Sequence, residues 1–145
     1  MGYDTWYEND ADDLQLIELC HSEQRVLLTR DTRMLNRREL PEYLFIKHND
    51  LHSQIAQVIA TYSLEVSPQQ FFSRCPDCNA PLEKVGREAV AHLVPVYVAK
   101  HATTFTMCPE SDKIFWSGTH YQKAWADCLQ MLRAAQTYFR ETERE

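Results

Sequence analysis

The sequence predicts an α/β protein: a parallel sheet with flanking helices, then a small cysteine-bearing module and a C-terminal helix. Three observations carry this expectation. Short apolar runs, RVLLT at 25–29 and YLFI at 43–46, alternate with segments of helical period. The rhythm breaks at Ser67-Pro68, and from there to about Gly118 come Pro68, Pro76, Pro81, Pro95 and Pro109 together with Cys75, Cys78 and Cys108. A helical face then returns in Trp125, Cys128, Leu129, Leu132, Ala135 and Phe139.

Taken in order, Tyr3 to Tyr7 (YDTWY) reads as a short strand, and Glu8 to Asp12 as a polar turn. A helix follows with Leu14, Leu16, Ile17, Leu19 and Cys20, capped by Asp12 or Asp13. The centre of RVLLT lacks polar alternation, as a strand buried on both faces would. Asp31 to Leu40 reads as a short, very basic helix stopped by Pro41, and YLFI as a further buried strand. Leu51, Ile55, Val58, Ile59 and Tyr62 mark an amphipathic helix. Alternating strands and helices imply a parallel sheet with right-handed crossovers. Phe105 to Met107 and Ile114 to Trp116 read as a small hairpin, Tyr121 to Phe139 as the last helix, and RETERE as a solvated end. The expected division is 1–66 for the sheet and 67–145 for the cysteine module with its helix.

Composition narrows the function. A length of 145 residues suits one domain, or one domain with an appended module, and 44% hydrophobic content supports a packed core. A net charge of −6 argues against coating nucleic acid by bulk electrostatics, although a local basic groove stays open. No run of about 18 apolar residues exists, so no membrane span is expected. MGYDTWYEND has neither a basic region nor an apolar stretch, so no secretory signal is expected either. Five cysteines without a signal point to a reducing, cytoplasmic setting. Cys20 and Cys128 fall within helical patterns and read as small core residues.

The acids fall where an open parallel sheet binds its ligands, beyond the carboxyl ends of the strands. Asp10, Asp12 and Asp13 follow the first run, Asp31 the second and Asp50 the third. Such carboxylates suit Mg2+ or Mn2+, which take oxygen ligands and phosphate substrates. Helix capping is an equally physical reason for Asp13 and Asp50. Asp31 is less easily explained that way, because it closes Thr29-Arg30-Asp31 and precedes Arg33, Arg37 and Arg38. Those arginines are either a solvated helix face or, with Arg30, a grip on phosphates.

Cys75-x2-Cys78, with Cys108 some thirty residues on, has the outline of a zinc ribbon with one ligand missing. The second turn reads Cys108-Pro109-Glu110-Ser111, and a hydroxyl that keeps its proton is a poor substitute for a thiolate. Water, Asp112 or His120 could supply the fourth donor. A redox pair and an unmetallated knuckle are the other readings of the same residues.

Together GYDTWYEND, RVLLTRDTRML, RCPDCNAPL and the Cys108 turn leading into IFWSGTHYQK resemble the mut-seven C-terminal RNase domain family, in order and spacing, from about Gly2 to Lys123. The resemblance implies a PIN-like nuclease followed by a zinc ribbon, and a metal-dependent ribonuclease acting on RNA. The family's Thr-Arg-Asp acid falls on Asp31, the acid opening its second helix on Asp13, and its ribbon cysteines on Cys75, Cys78 and Cys108. Two departures follow: Ser111 stands for the usual fourth cysteine, and the family's opening acidic strand and helix are expected to precede Gly-Tyr-Asp-Thr. An internal start at Met1 or a degenerate relative would each account for the latter. Without that strand the sheet edge is exposed and open to self-association. Gly-Thr-His-Tyr is kept in the family alongside four cysteines, so the resemblance speaks against a ligand role for His120. The implied activity has a rival of another class: a non-catalytic zinc-ribbon module that binds nucleic acid or a protein.

Overall fold

The computed structural model describes residues 1–142, with side chains described through Tyr138. The fold is mixed α/β, and by their contacts the residues form two compact units. One comprises Tyr7–Leu64 together with the chain from Arg133; the other comprises Met1–Trp6 and Glu65–Leu132.

In the first unit, α1 (Asp13–Glu23) starts on a complete capping box. The Asp12 carboxylate accepts from the Gln15 amide, while the Gln15 side chain accepts from the Asp12 amide. Ile17 and Cys20 of this helix pack with Leu27 and Met34 into a small core. Strands β1 (Leu27–Thr29) and β2 (Tyr43–Phe45) pair in parallel, with Leu28 opposite Leu44. Helix α2 (Leu51–Thr61) is capped by Asp50, whose carboxylate accepts from the Ser53 amide at 2.9 Å. The buried Gln57 of α2 ties the end of β2 down, donating to Phe45 O and accepting from the Lys47 amide.

Two expectations are corrected here. The strands are not buried on both faces, because Leu28 is 45% and Tyr43 43% exposed in this two-stranded sheet. The basic segment 31–40 is not a helix. It forms a single 3-10 turn, Met34–Asn36, that plants Met34 in the core, while the Asn36 side chain donates back to Thr32 O. Continuous apolar pattern and helix propensity gave way to the small size of the core each had to serve.

In the second unit, a three-stranded antiparallel sheet runs in the order β3 (Glu83–Val85), β4 (Phe105–Met107), β5 (Ile114–Trp116). The hairpin matches the sequence reading, with Thr106 opposite Phe115. Strand β3, which the sequence reading missed, pairs with the other edge of β4. Short helices α3 (Arg87–Val90) and α4 (Val96–His101) lie between β3 and β4. Val90, Ala102 and Phe105 form the core beneath them. Helix α5 spans Thr119–Thr142; its Trp125 meets Phe71 edge-on at 5.0 Å and stacks on Tyr121 at 5.9 Å. The Phe139 side chain of the expected face lies outside the described residues, as do the side chains of the RETERE end, expected to be solvated, and its last three residues altogether.

The opening residues correct a third expectation. YDTWY is not a strand but an extended latch on the first cysteine turn. Gly2 O accepts from Arg74 Nε at 3.2 Å, the Asp4 carboxylate from Asn79 Nδ2 at 2.7 Å, and Asn79 Oδ1 from the Thr5 amide at 3.3 Å. Gly2 is required there: its φ is +88°, and a Cβ would come within 2.7 Å of the Gln70 carbonyl oxygen.

Candidate functional site

Two groups of candidate ligands take shape, one in each unit. In the sheet unit, Asp31 stands two residues beyond the carboxyl end of β1. Its amide donates to Thr29 Oγ1 at 3.0 Å, so the buried end of the strand fixes its start. Its carboxylate is then gripped three times by Arg33: by the amide at 2.8 Å, by Nε at 3.2 Å and by Nη2 at 2.9 Å. These hydrogen bonds, the side-chain ones first, hold the Asp31 carboxyl below its ordinary value and raise Arg33 in turn. Asp13, at the first turn of α1, accepts from Arg37 Nη2 at 2.7 Å. Arg33 also feels the Asp13 charge. The turn that carries the arginines therefore presents them to both acids that the sequence singled out.

The other acids have other work. Asp12 and Asp50 are helix caps, and capping holds the Asp50 carboxyl below its ordinary value through the Ser53 amide first and the Ser53 hydroxyl second. Asp10 stands exposed beside Asn9. Arg30 donates from Nη2 to Asn49 Oδ1, and Arg38 is exposed. Beside Arg30 lies a cavity of about 260 Å³ lined by Leu28, Thr29, Ile46, Gln54, Ile55 and Val58. Asp13 and Asp31 offer the oxygen donors that Mg2+ or Mn2+ prefers, each already balanced by a guanidinium. Among the described residues, the acids do not gather three at a time into a group able to hold a metal.

The cysteines do gather. The sulfurs of Cys75, Cys78 and Cys108 lie within 4.8 Å of one another, and Cys78 Sγ is 3.3 Å from Cys108 Sγ. Zinc binds each sulfur at roughly 2.3 Å, which spaces a tetrahedral set by about 3.8 Å, so this donor set fits zinc in kind and in size. Cys75 and Cys108 are buried and Cys78 is exposed.

Two turns of the same construction bring them together. In the first, the Cys75 amide donates to Ala80 O at 2.8 Å and the Asn79 amide to Cys75 O at 2.9 Å. In the second, the Cys108 amide donates to Lys113 O at 2.9 Å and the Asp112 amide to Cys108 O at 3.0 Å. Asn79 and Asp112 take φ of 63° and 55°, the left-handed conformation that Asn and Asp tolerate best. An Asp77–Lys113 ion pair of 2.5 Å bridges the turns. The Ser111 hydroxyl lies 3.8 Å from Cys75 Sγ. It also donates toward Cys108, which is the main reason that thiol is lowered to about 7. At Cys78 the Ala80 amide pulls the other way, but hydrogen bonding to Cys108, burial and Cys75 together raise it to about 11.

Residues 1–127 match the family model described as the Mut7-C RNAse domain. The chain belongs to the Mut7-C RNAse domain family. No curated protein and no solved structure gives a significant match. Membership places the chain in a nuclease lineage, and the match takes in both the acidic edge and the cysteine turns of this Mut7-C domain. No helix among the described residues is long and apolar enough to cross a membrane.

Sequence reasoning missed the residues that hold the Mut7-C cysteine turns. Arg74, Asn79 and Asp4 form the latch, and Asp77 with Lys113 the bridge. One signal was available: Asn79 and Asp112 each stand four places after the cysteine that opens their turn, where a left-handed residue closes it.

Proposed function

We propose that this chain is a metal-dependent ribonuclease domain, cleaving RNA phosphodiesters at the edge marked by Asp13 and Asp31. The observation that carries the reading is the pair of exchangeable acid–arginine contacts there, Asp31 with Arg33 and Asp13 with Arg37. Arg33 is 90% exposed in its side chain, so its guanidinium can leave the carboxylate without disturbing packing. A phosphate is a second good partner for the same fork of donors. On arrival of RNA, Arg33 and Arg37 turn to the backbone phosphates, with Arg30 and Arg38 extending the grip. The two carboxylates are thereby released as oxygen donors for Mg2+ or Mn2+. Such an ion, when bound, supplies an activated water and stabilises the leaving oxygen. Until then the Arg33 hydrogen bonds hold the Asp31 carboxyl below its ordinary value and keep it ionised.

The test is cleavage of single-stranded RNA by the purified chain with Mn2+. Asp31→Asn abolishes the activity on this reading, and activity indifferent to that change would sink it. Charge reversal of Arg33 and Arg37 together weakens RNA binding and flattens its salt dependence. An unchanged salt slope would mean that these arginines serve only their carboxylates.

A second reading has its own observation, that both acids are already neutralised and no third joins them among the described residues. On it, the chain is a non-catalytic module that binds RNA or a protein. Binding of RNA without divalent ions, untouched by Asp31→Asn, would favour this alternative. A cytoplasmic setting suits either, since both need the cysteines reduced.

A further inference from the structure

Superposing the two cysteine turns by their hydrogen bonds aligns Cys75 with Cys108, Asn79 with Asp112, and Cys78 with Ser111. The backbone of a four-ligand site is therefore complete, while one of its four donor atoms is an oxygen that keeps its proton. Among the described residues nothing else takes that place. Among the described His, Cys, Asp and Glu side chains, those whose donor atoms converge here are Cys75, Cys78 and Cys108, so Asp112 and His120 stay outside. The Ser111 hydroxyl is itself spent on the neighbouring sulfurs. The turn is also open to solvent, since Cys78, Pro109, Glu110 and Asp112 are exposed.

We infer that Cys75, Cys78 and Cys108 form a three-thiolate metal site whose fourth position, beside Ser111, accepts a small thiol from solution. Three thiolates around a divalent, thiophilic ion leave one tetrahedral position for an outside donor, and zinc selects sulfur well. The incoming thiol loses its proton to solvent as its sulfur takes the place of water, and no electrons change hands. Lys113, held between the turns by Asp77, offsets the added negative charge at Cys75 and Cys78. The inference is independent of the nuclease reading, because it uses neither Asp13 nor Asp31.

Co2+ in place of zinc makes the site visible, since its absorption reports sulfur ligands. The full chain is kept reduced by a phosphine, loaded with Co2+ and titrated with 2-mercaptoethanol. The expected result is a rise of about one third in the sulfur-to-cobalt absorption, as three thiolates become four. At a thiol concentration about ten times its own dissociation constant, the apparent affinity for the metal rises about tenfold. Ser111→Cys shows the fuller spectrum from the outset and does not respond to the thiol. A wild-type spectrum that ignores the thiol would mean the protein closes the fourth position itself. An equal response from Ser111→Cys would place the thiol elsewhere. Either result, or failure of the wild-type chain to bind Co2+ through sulfur, overturns the inference.

Discussion

The cysteine turns and the acidic edge are both sets of candidate metal ligands, and they are held in opposite ways. Each cysteine turn is closed by two backbone hydrogen bonds and a left-handed residue, and its first cysteine is buried. The acids stand half exposed, and their positions depend on long arginine side chains. Backbone bonds survive substitution of the side chains they carry, which is how the second turn keeps its shape with Ser111 in place of a thiol. Side-chain pairs exchange instead, at little cost, because exposed ion pairs contribute only about 0–1 kcal/mol. A soft ion is thus offered a prepared cage, whereas on the proposed ribonuclease reading a hard ion meets donors that must first be released.

The sharpest way to break that contrast is to damage the cage. Cys75→Ala removes a thiol only 3% exposed, together with its share of the metal site, and should cost about 2–4 kcal/mol. Urea unfolding with and without a chelator checks it: the chelator should destabilise the wild-type chain and leave the variant unchanged. Next comes the latch. Gly2→Ala places a methyl group against the Gln70 carbonyl at a backbone angle that suits glycine, and should cost about 1–3 kcal/mol. Loss of protection from hydrogen exchange at the Thr5 amide would accompany it, and an unchanged Tm would show the opening residues to be dispensable to the turn.

At the acids the expected effects are smaller and opposite in sign. Arg33→Ala frees the Asp31 carboxylate, so Mn2+ binding should strengthen by about fivefold or less while RNA binding weakens. Titration of both ligands on one variant checks the exchange, and weaker Mn2+ binding would show that the arginine supports the metal site rather than competing with it. The smallest effect concerns pH. The Asp50 carboxyl is held below its ordinary value near 3.8 by the Ser53 amide. Its folded form therefore gains stability that is present above that value and lost as pH falls through the lowered one. Asp50→Asn keeps a capping oxygen but removes the titration, so it should flatten the stability profile below about pH 4 and leave neutral pH nearly unchanged.

Local chemistry was legible in the chain itself. The caps at Asp12 and Asp50, the hairpin of Phe105–Met107 with Ile114–Trp116 and α2 all rest on contacts between near neighbours, and the Cys75–Cys78 spacing is one that a single turn enforces. What sequence reasoning misplaced rests on distant partners. YDTWY has strand-forming residues, yet Asn79, more than seventy positions away, takes its Thr5 amide and Asp4 carboxylate, Arg74 holds the Gly2 carbonyl just before it, and no strand pairs with it. β3 is too short to announce itself, and exists because the free edge of β4 offers it partners. The basic run could have been a helix by propensity; Asp13 and Asp31 claimed Arg37 and Arg33, and the core claimed Met34. The sequence by itself determined which donors the protein owns and which turns they sit in, because these follow from residue type and short spacing. Only the tertiary structure decided which donors meet, which are already paired and which remain open, because those outcomes depend on bonds closed across the whole chain.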